Sequence, residues 1–149
     1  MKIIESAQKA LDDEIKGLSL LKDFFDSNFE EAVNTIFKTE GKVVVTGVGK
    51  SGHIGRKISA TLSSTGTPSY FVHPTEASHG DMGMIENNDI IFAISWSGET
   101  TELGNIVKYA LENKIKLIGL SSNKNSHLAK SSNIALNLPL VAVSYTHLR

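Results

Sequence analysis

Two short segments concentrate the residue types that handle an anion. Gly47-Val48-Gly49-Lys50-Ser51-Gly52 and Ser95-Trp96-Ser97-Gly98-Glu99-Thr100 each mix glycine with hydroxyl side chains and run into a helical pattern. Glycine lets backbone amides approach a ligand, a helix N-terminus favours negative charge, and Ser51, Ser95, Ser97 and Thr100 add neutral donors. A single phosphate monoester suits such a pair of loops. The same hydroxyls are also what helix capping requires, although two such loops at neighbouring strand ends favour phosphate. Two nucleotide readings of the first loop are incomplete. It fits G-x-G-x-x-G, yet the second strand runs into Val72-His73-Pro74, where a dinucleotide site wants an acid for the ribose. Gly49-Lys50-Ser51 matches the end of a G-x-x-x-x-G-K-S loop, but Val44 stands where the first glycine belongs.

Such loops need a rigid frame, and the chain from Lys42 onward supplies one. Strands are expected at residues 42–46, 69–72, 89–95, 116–120 and 134–138, with helical stretches at 52–65, 100–112 and a short turn at 126–130. Strands that are apolar on both faces and alternate with helices predict a parallel sheet covered on both sides, a three-layer α/β/α arrangement of five strands. In an open parallel sheet, ligands sit beyond the carboxyl ends of the strands, where both loops fall. Ahead of the sheet, Ala7, Leu11, Ile15, Leu18, Leu21 and Phe25 recur at helical spacing and give one apolar face. That face could pack on the chain's own sheet or meet another subunit. A second helix is expected to start at the capping box Ser27-Asn28-Phe29-Glu30, to carry Ala32, Ile36 and Phe37, and to stop at Gly41.

Composition narrows the function. The 149 residues carry 15 basic and 16 acidic side chains, a formal net charge of −1. No basic excess is available to displace phosphate counterions, so nucleic acid is not an expected partner. There are no cysteines, which excludes disulfides and thiolate metal sites. The longest apolar run, residues 90–94, is far too short to cross a bilayer, and Glu5 interrupts any N-terminal hydrophobic region. A cytoplasmic location with no membrane contact is expected.

Taken together, residues 47–57 (GVGKSGHIGRK), 64–68 (STGTP), His73-Pro74, His79-Gly80-Asp81 with Gly83-Met84, and Ser97-Gly98-Glu99-Thr100 with Glu102 resemble the sugar isomerase (SIS) domain family. Within it they look most like the arabinose-5-phosphate isomerase branch, which serves Kdo synthesis for lipopolysaccharide or capsule. The resemblance runs from the N-terminal helices to about Pro139. It implies aldose–ketose isomerisation of a five-carbon sugar phosphate through an enediol, without a cofactor. Such chemistry needs a base near C1 and C2, a group for the developing oxyanion, and a phosphate anchor.

By this resemblance Lys50, His79 and Glu102 fall on catalytic positions. Glu102 is expected one turn into the helix after the second loop, as acid/base; a surface glutamate complementing the helix dipole is the plainer alternative. Glu99, nearer the helix start, takes the capping role. Lys50 would stabilise an enediolate or a phosphate oxygen, and His79 would bind sugar hydroxyls or shuttle a proton. Gly49, Ser51, Gly66, Thr67, His73, His79, Ser95, Ser97 and Thr100 are the expected substrate contacts. His73 could also hold an adventitious, non-essential metal, whereas His53 reads as a packing or helix-surface residue. Trp96 stands where the family commonly has a small or polar residue, either as a pocket wall or packed outside the loop. A noncatalytic sugar-phosphate-binding regulatory module is the alternative function. A homotetramer built through the helices is the implied assembly.

The expected domain spans residues 1–142, with helices in 1–41 and the parallel core in 42–142. The family continues into a glutamate- and proline-containing segment, then helices with a second catalytic glutamate and a histidine. Residues 140–149 (LVAVSYTHLR) match none of this, and His147 is not that histidine. Residues 143–149 read as a non-native tail, and the 149-residue chain is expected to be inactive as it stands.

Overall fold

The computed structural model describes residues 2–140, so the tail expected at 143–149 lies outside the described residues. Five parallel strands form one sheet in the order β2-β1-β3-β4-β5. They are β1 (Val43–Gly47), β2 (Ser69–Val72), β3 (Ile90–Ile94), β4 (Lys116–Ser121) and β5 (Ile134–Asn137). Each falls within a residue or so of its expected place, because runs such as Val43-Val44-Val45 and Ile90-Ile91-Phe92 suit a pleated surface buried on both faces.

Alternation along the strands sorts the core into two layers. Val44, Ile91, Ala93 and Leu117 face one side, against α4 (Pro74–Ser78), α5 (Gly104–Glu112) and α6 (His127–Ser131). Val43, Val45, Ile90, Phe92 and Ile118 face the other, against α2 (Ser27–Lys38) and α3 (Gly49–Ser64). The three-layer expectation therefore holds. Close contact of α3 with the sheet depends on Gly55, where a Cβ would sit 3.0 Å from the Phe71 ring. Arg56 reaches over the same ring, 4.2 Å from its centroid.

The N-terminal region differs from expectation in three ways. Asp26, not Ser27, caps α2: its Oδ1 accepts from the amides of Asn28 and Phe29, at 2.9 and 3.0 Å. A carboxylate one residue earlier is the stronger acceptor at a helix N-terminus. The helix ends at Lys38 rather than running to Gly41. Finally, α1 (Ile3–Leu20) buries no residue at all; Leu11, Ile15 and Leu18 are 52–67% exposed. It does not pack on the sheet.

At the amino edge of the sheet, one carboxylate ties β1 to β3. The fully buried Asp89 accepts from the amides of Lys42 at 2.7 Å and Glu86 at 2.9 Å, with the Lys42 ammonium 3.7 Å away. Nearby, the Tyr70 hydroxyl donates to Met84 O at 3.0 Å. Partial burial and the Asp89 charge push its pKa up to about 12. Among the described residues, no helix is long and apolar enough to cross a membrane.

Candidate active site at the carboxyl edge of the sheet

The strand order reverses between β1 and β3, and the loops leaving these two strands flank the crevice where open parallel sheets bind ligands. The first loop is short. α3 begins at Gly49, three residues earlier than expected, so Lys50 and Ser51 lie in its first turn. The residue before it, Val48, offers no capping side chain, and Gly49 takes φ +56 with open space where a Cβ would stand. The first-turn amides of α3 therefore point past the strand end without acceptors from their own helix.

The second loop is braced throughout. Ser95 is 2% exposed, and its Oγ accepts from the Gly98 amide at 3.0 Å while sharing a 2.7 Å hydrogen bond with Thr100 Oγ1. Ser97 Oγ accepts from the Glu99 amide at 3.2 Å. Gly98 holds φ +70, and a Cβ there would overlap the Ser126 side chain. Only glycine meets both demands.

A third loop, which the sequence reading did not single out, holds the second in place. Ser122 donates to Trp96 O from both its amide, at 2.9 Å, and its hydroxyl, at 2.7 Å. The Leu128 amide donates to Gly98 O at 3.0 Å, and the His127 amide to Glu99 Oε1 at 2.9 Å. Glu99 does cap a helix, but the helix is α6 rather than its own. A signal was present in the sequence: Ser121-Ser122-Asn123-Lys124-Asn125-Ser126 is another hydroxyl-rich segment at a strand end.

The remaining candidates fall around these loops. Glu102 sits not in an α-helix but in a tight 3-10 turn, Thr101–Leu103, that precedes α5. Helix starts often tighten this way. His73 caps α4, its Nδ1 accepting from the Thr75 amide at 3.3 Å, and Pro74 occupies the first helical position, where its missing N–H is harmless. The stretch read as turn-rich is thus a short helix, which delivers an exposed His79 at its end. Among the described residues, no group of three or more His, Asp or Glu side chains could hold a metal ion. His53 lies on the exposed surface of α3.

Gly66 and Thr67 do not join the others. They follow α3, whose 16 residues span about 24 Å, and so lie at the amino edge of the sheet. There they close the helix end, with the Gly66 amide donating to Ser63 O at 3.3 Å and the Thr67 amide to Leu62 O at 2.9 Å. The glycine freedom expected at Gly66 is used, at φ +98, for this helix stop.

Lys50, Ser51, Ile54, Trp96, Leu120 and Leu138 line a cavity of 400 Å³ beside the crevice. Trp96 is therefore a wall of the space that Lys50 borders, one of the two placements open to it.

This geometry has close counterparts. The chain is 48% identical over 137 residues to the arabinose 5-phosphate isomerase KdsD of Yersinia pestis, and 43% identical over 136 residues to the arabinose 5-phosphate isomerase GutQ of Escherichia coli K12. Each alignment covers 91% of this chain, which spans 42% of the length of either relative. Among solved structures, c3406 of E. coli CFT073 in complex with arabinose 5-phosphate superposes with a TM-score of 0.83 at 35% identity, covering 97% of this chain and 78% of that one. Residues 36–145 match the SIS domain, all five strands and the loops just described among them, and the chain belongs to that family.

Proposed function

We propose that this chain is the sugar-phosphate-binding and catalytic domain of an arabinose-5-phosphate isomerase, interconverting D-arabinose 5-phosphate and D-ribulose 5-phosphate. The observation that carries the reading is convergence. Lys50, His79 and Glu102 leave three adjacent strands, β1, β2 and β3, at one edge of the sheet, next to both serine–glycine loops. The likeness to KdsD and GutQ supports arabinose 5-phosphate as the substrate.

In this scheme Ser51, Ser97, Thr100 and the amides of the two loops hold the phosphate, while Gly49 lets the backbone approach. Ser95 acts from beneath, through its bonds to Gly98 and Thr100. Glu102 removes the proton from C2 of the aldose, and the electron pair moves to form the C1–C2 double bond as the carbonyl oxygen on C1 becomes an oxyanion. The Lys50 ammonium stabilises that charge. His79 carries a proton between the oxygens on C1 and C2, and return of the first proton to C1 yields the ketose. Atoms and electrons balance without a redox cofactor or metal. His73, already used as a cap through Nδ1, contacts substrate only through its other edge.

The wider setting follows from the same reading. The aldose side of this equilibrium, arabinose 5-phosphate, would feed Kdo synthesis for lipopolysaccharide or capsule in the cytoplasm, with no nucleic-acid partner. The exposed apolar stripe of α1 supports assembly with further copies, a tetramer in this reading. The test is to assay the protein encoded by the complete reading frame with arabinose 5-phosphate. We expect turnover that Glu102→Gln lowers at least about 100-fold in kcat. Undiminished turnover by that variant removes Glu102 from the chemistry, and binding without turnover by the parent makes the domain a regulatory module.

A further inference from the structure

Asn105 lies outside every motif discussed above, yet its side chain joins the segments that carry His79 and Glu102. Its Nδ2 donates to Ser78 Oγ at 3.0 Å, and that hydroxyl donates onward to Pro74 O at 3.1 Å. Ser78 is the last residue of α4 and immediately precedes His79; Asn105 is the second residue of α5, three positions after Glu102. Beneath them, Ala77, Leu103 and Ile106 are buried in one apolar cluster.

The two kinds of contact do different work. Apolar packing is non-directional, so Ala77 against Leu103 sets how close α4 lies but leaves its rotation about its own axis weakly defined. A hydrogen bond is directional. α4 has only five residues, two of them buried, Pro74 and Ala77, and Gly80 at φ +133 follows directly after His79. No other side-chain hydrogen bond links α4 to residues 101–112 among the described residues.

We propose that Asn105 is a positioning residue: through Ser78 it sets the rotation of α4 and so holds the His79 imidazole in register with the Glu102 carboxylate over the same substrate carbons. The inference rests on the isomerase reading for its catalytic consequence, but not for its geometry. The clasp costs the fold little to lose, because it is exposed, and its effect is concentrated on the group it aims.

The test has two arms. In the protein from the complete reading frame, Asn105→Ala lowers kcat for arabinose 5-phosphate about fivefold, with KM held within about twofold. Ser78→Ala gives the same loss, and the double variant loses no more than either alone. Ser78→Thr, which keeps a hydroxyl that can accept from Asn105 and donate to Pro74 O, retains most of kcat. In the 149-residue chain, Asn105→Ala shifts the backbone amide and imidazole resonances of His79 and leaves those of His53 in place. Additive losses, or an unmoved His79, overturn the proposal. Should the parent protein fail to turn over the sugar, the isomerase reading falls and the His79 resonances alone decide the clasp.

Discussion

The two loops that flank the crevice look alike in sequence and are built on opposite plans. The loop after β1 is open: Val48 offers no capping side chain, and Gly49 has empty space around its missing Cβ. The loop after β3 is held from inside by Ser95, Ser97 and Thr100, and from outside by Ser122, His127 and Leu128. The contrast teaches that glycine and serine serve two ends here. In the first loop they let the backbone come close to a ligand, and in the second they fix a shape before any ligand arrives, which lowers the ordering cost of binding.

The largest test of this contrast is at the glycines. Gly98→Ala must accept both a left-handed backbone and an overlap with Ser126, and is expected to destabilise the chain by about 3 kcal/mol in urea unfolding. Gly49→Ala meets the backbone demand alone and should cost about 1 kcal/mol. Equal costs would erase the distinction between the loops.

The serines give a smaller version of the same test. Ser95→Ala removes a buried hydroxyl with two partners, leaving Thr100 short of one, and should cost about 2 kcal/mol. For Ser51→Ala the expected change in stability is under about 0.5 kcal/mol, with any effect appearing as weaker phosphate binding instead.

The smallest effect has the opposite sign. Thr46 is the penultimate residue of the wholly buried β1, just below the first loop, and its Oγ1 is buried without a hydrogen-bond partner. Thr46→Val keeps the shape and removes the unmet hydroxyl, so it should stabilise the chain by about 1 kcal/mol. A loss of stability on that substitution would show that the strand under the open loop is as well satisfied as its neighbour.

Much of this was legible in the sequence because it depended on local chemistry. Val43 to Val45 and Ile90 to Phe92 read as doubly buried strands, and Lys50 and Ser97 read as strand-end residues, because a parallel sheet leaves few alternatives once its strands are found. What was missed involves partners far apart along the chain or choices between close rivals. Asp26 and Ser27 are both good caps, and only the backbone decides between them. Gly66-Thr67 resembled a ligand turn, yet the length of α3 carries it to the far edge. Glu99 capping α6, and Asn105 reaching Ser78, are contacts across 28 and 27 positions that no local pattern announces.

The strand order also bears on how the chain reaches this state. Every strand pair is parallel, so no pairing can form as a simple hairpin. The shortest closure joins Ile118 to Ile134, 16 positions on; β1 with β2 and β3 with β4 each need 26, and Val43 meets Ile90 only across 47. Loop-closure entropy grows with that separation, and folding slows as it does. The β1–β3 seam, which carries the crevice, is therefore the most expensive closure in the sheet. The two walls of the pocket thus belong to units that each close over a shorter stretch of chain, and the pocket exists only where the β1–β3 seam joins them.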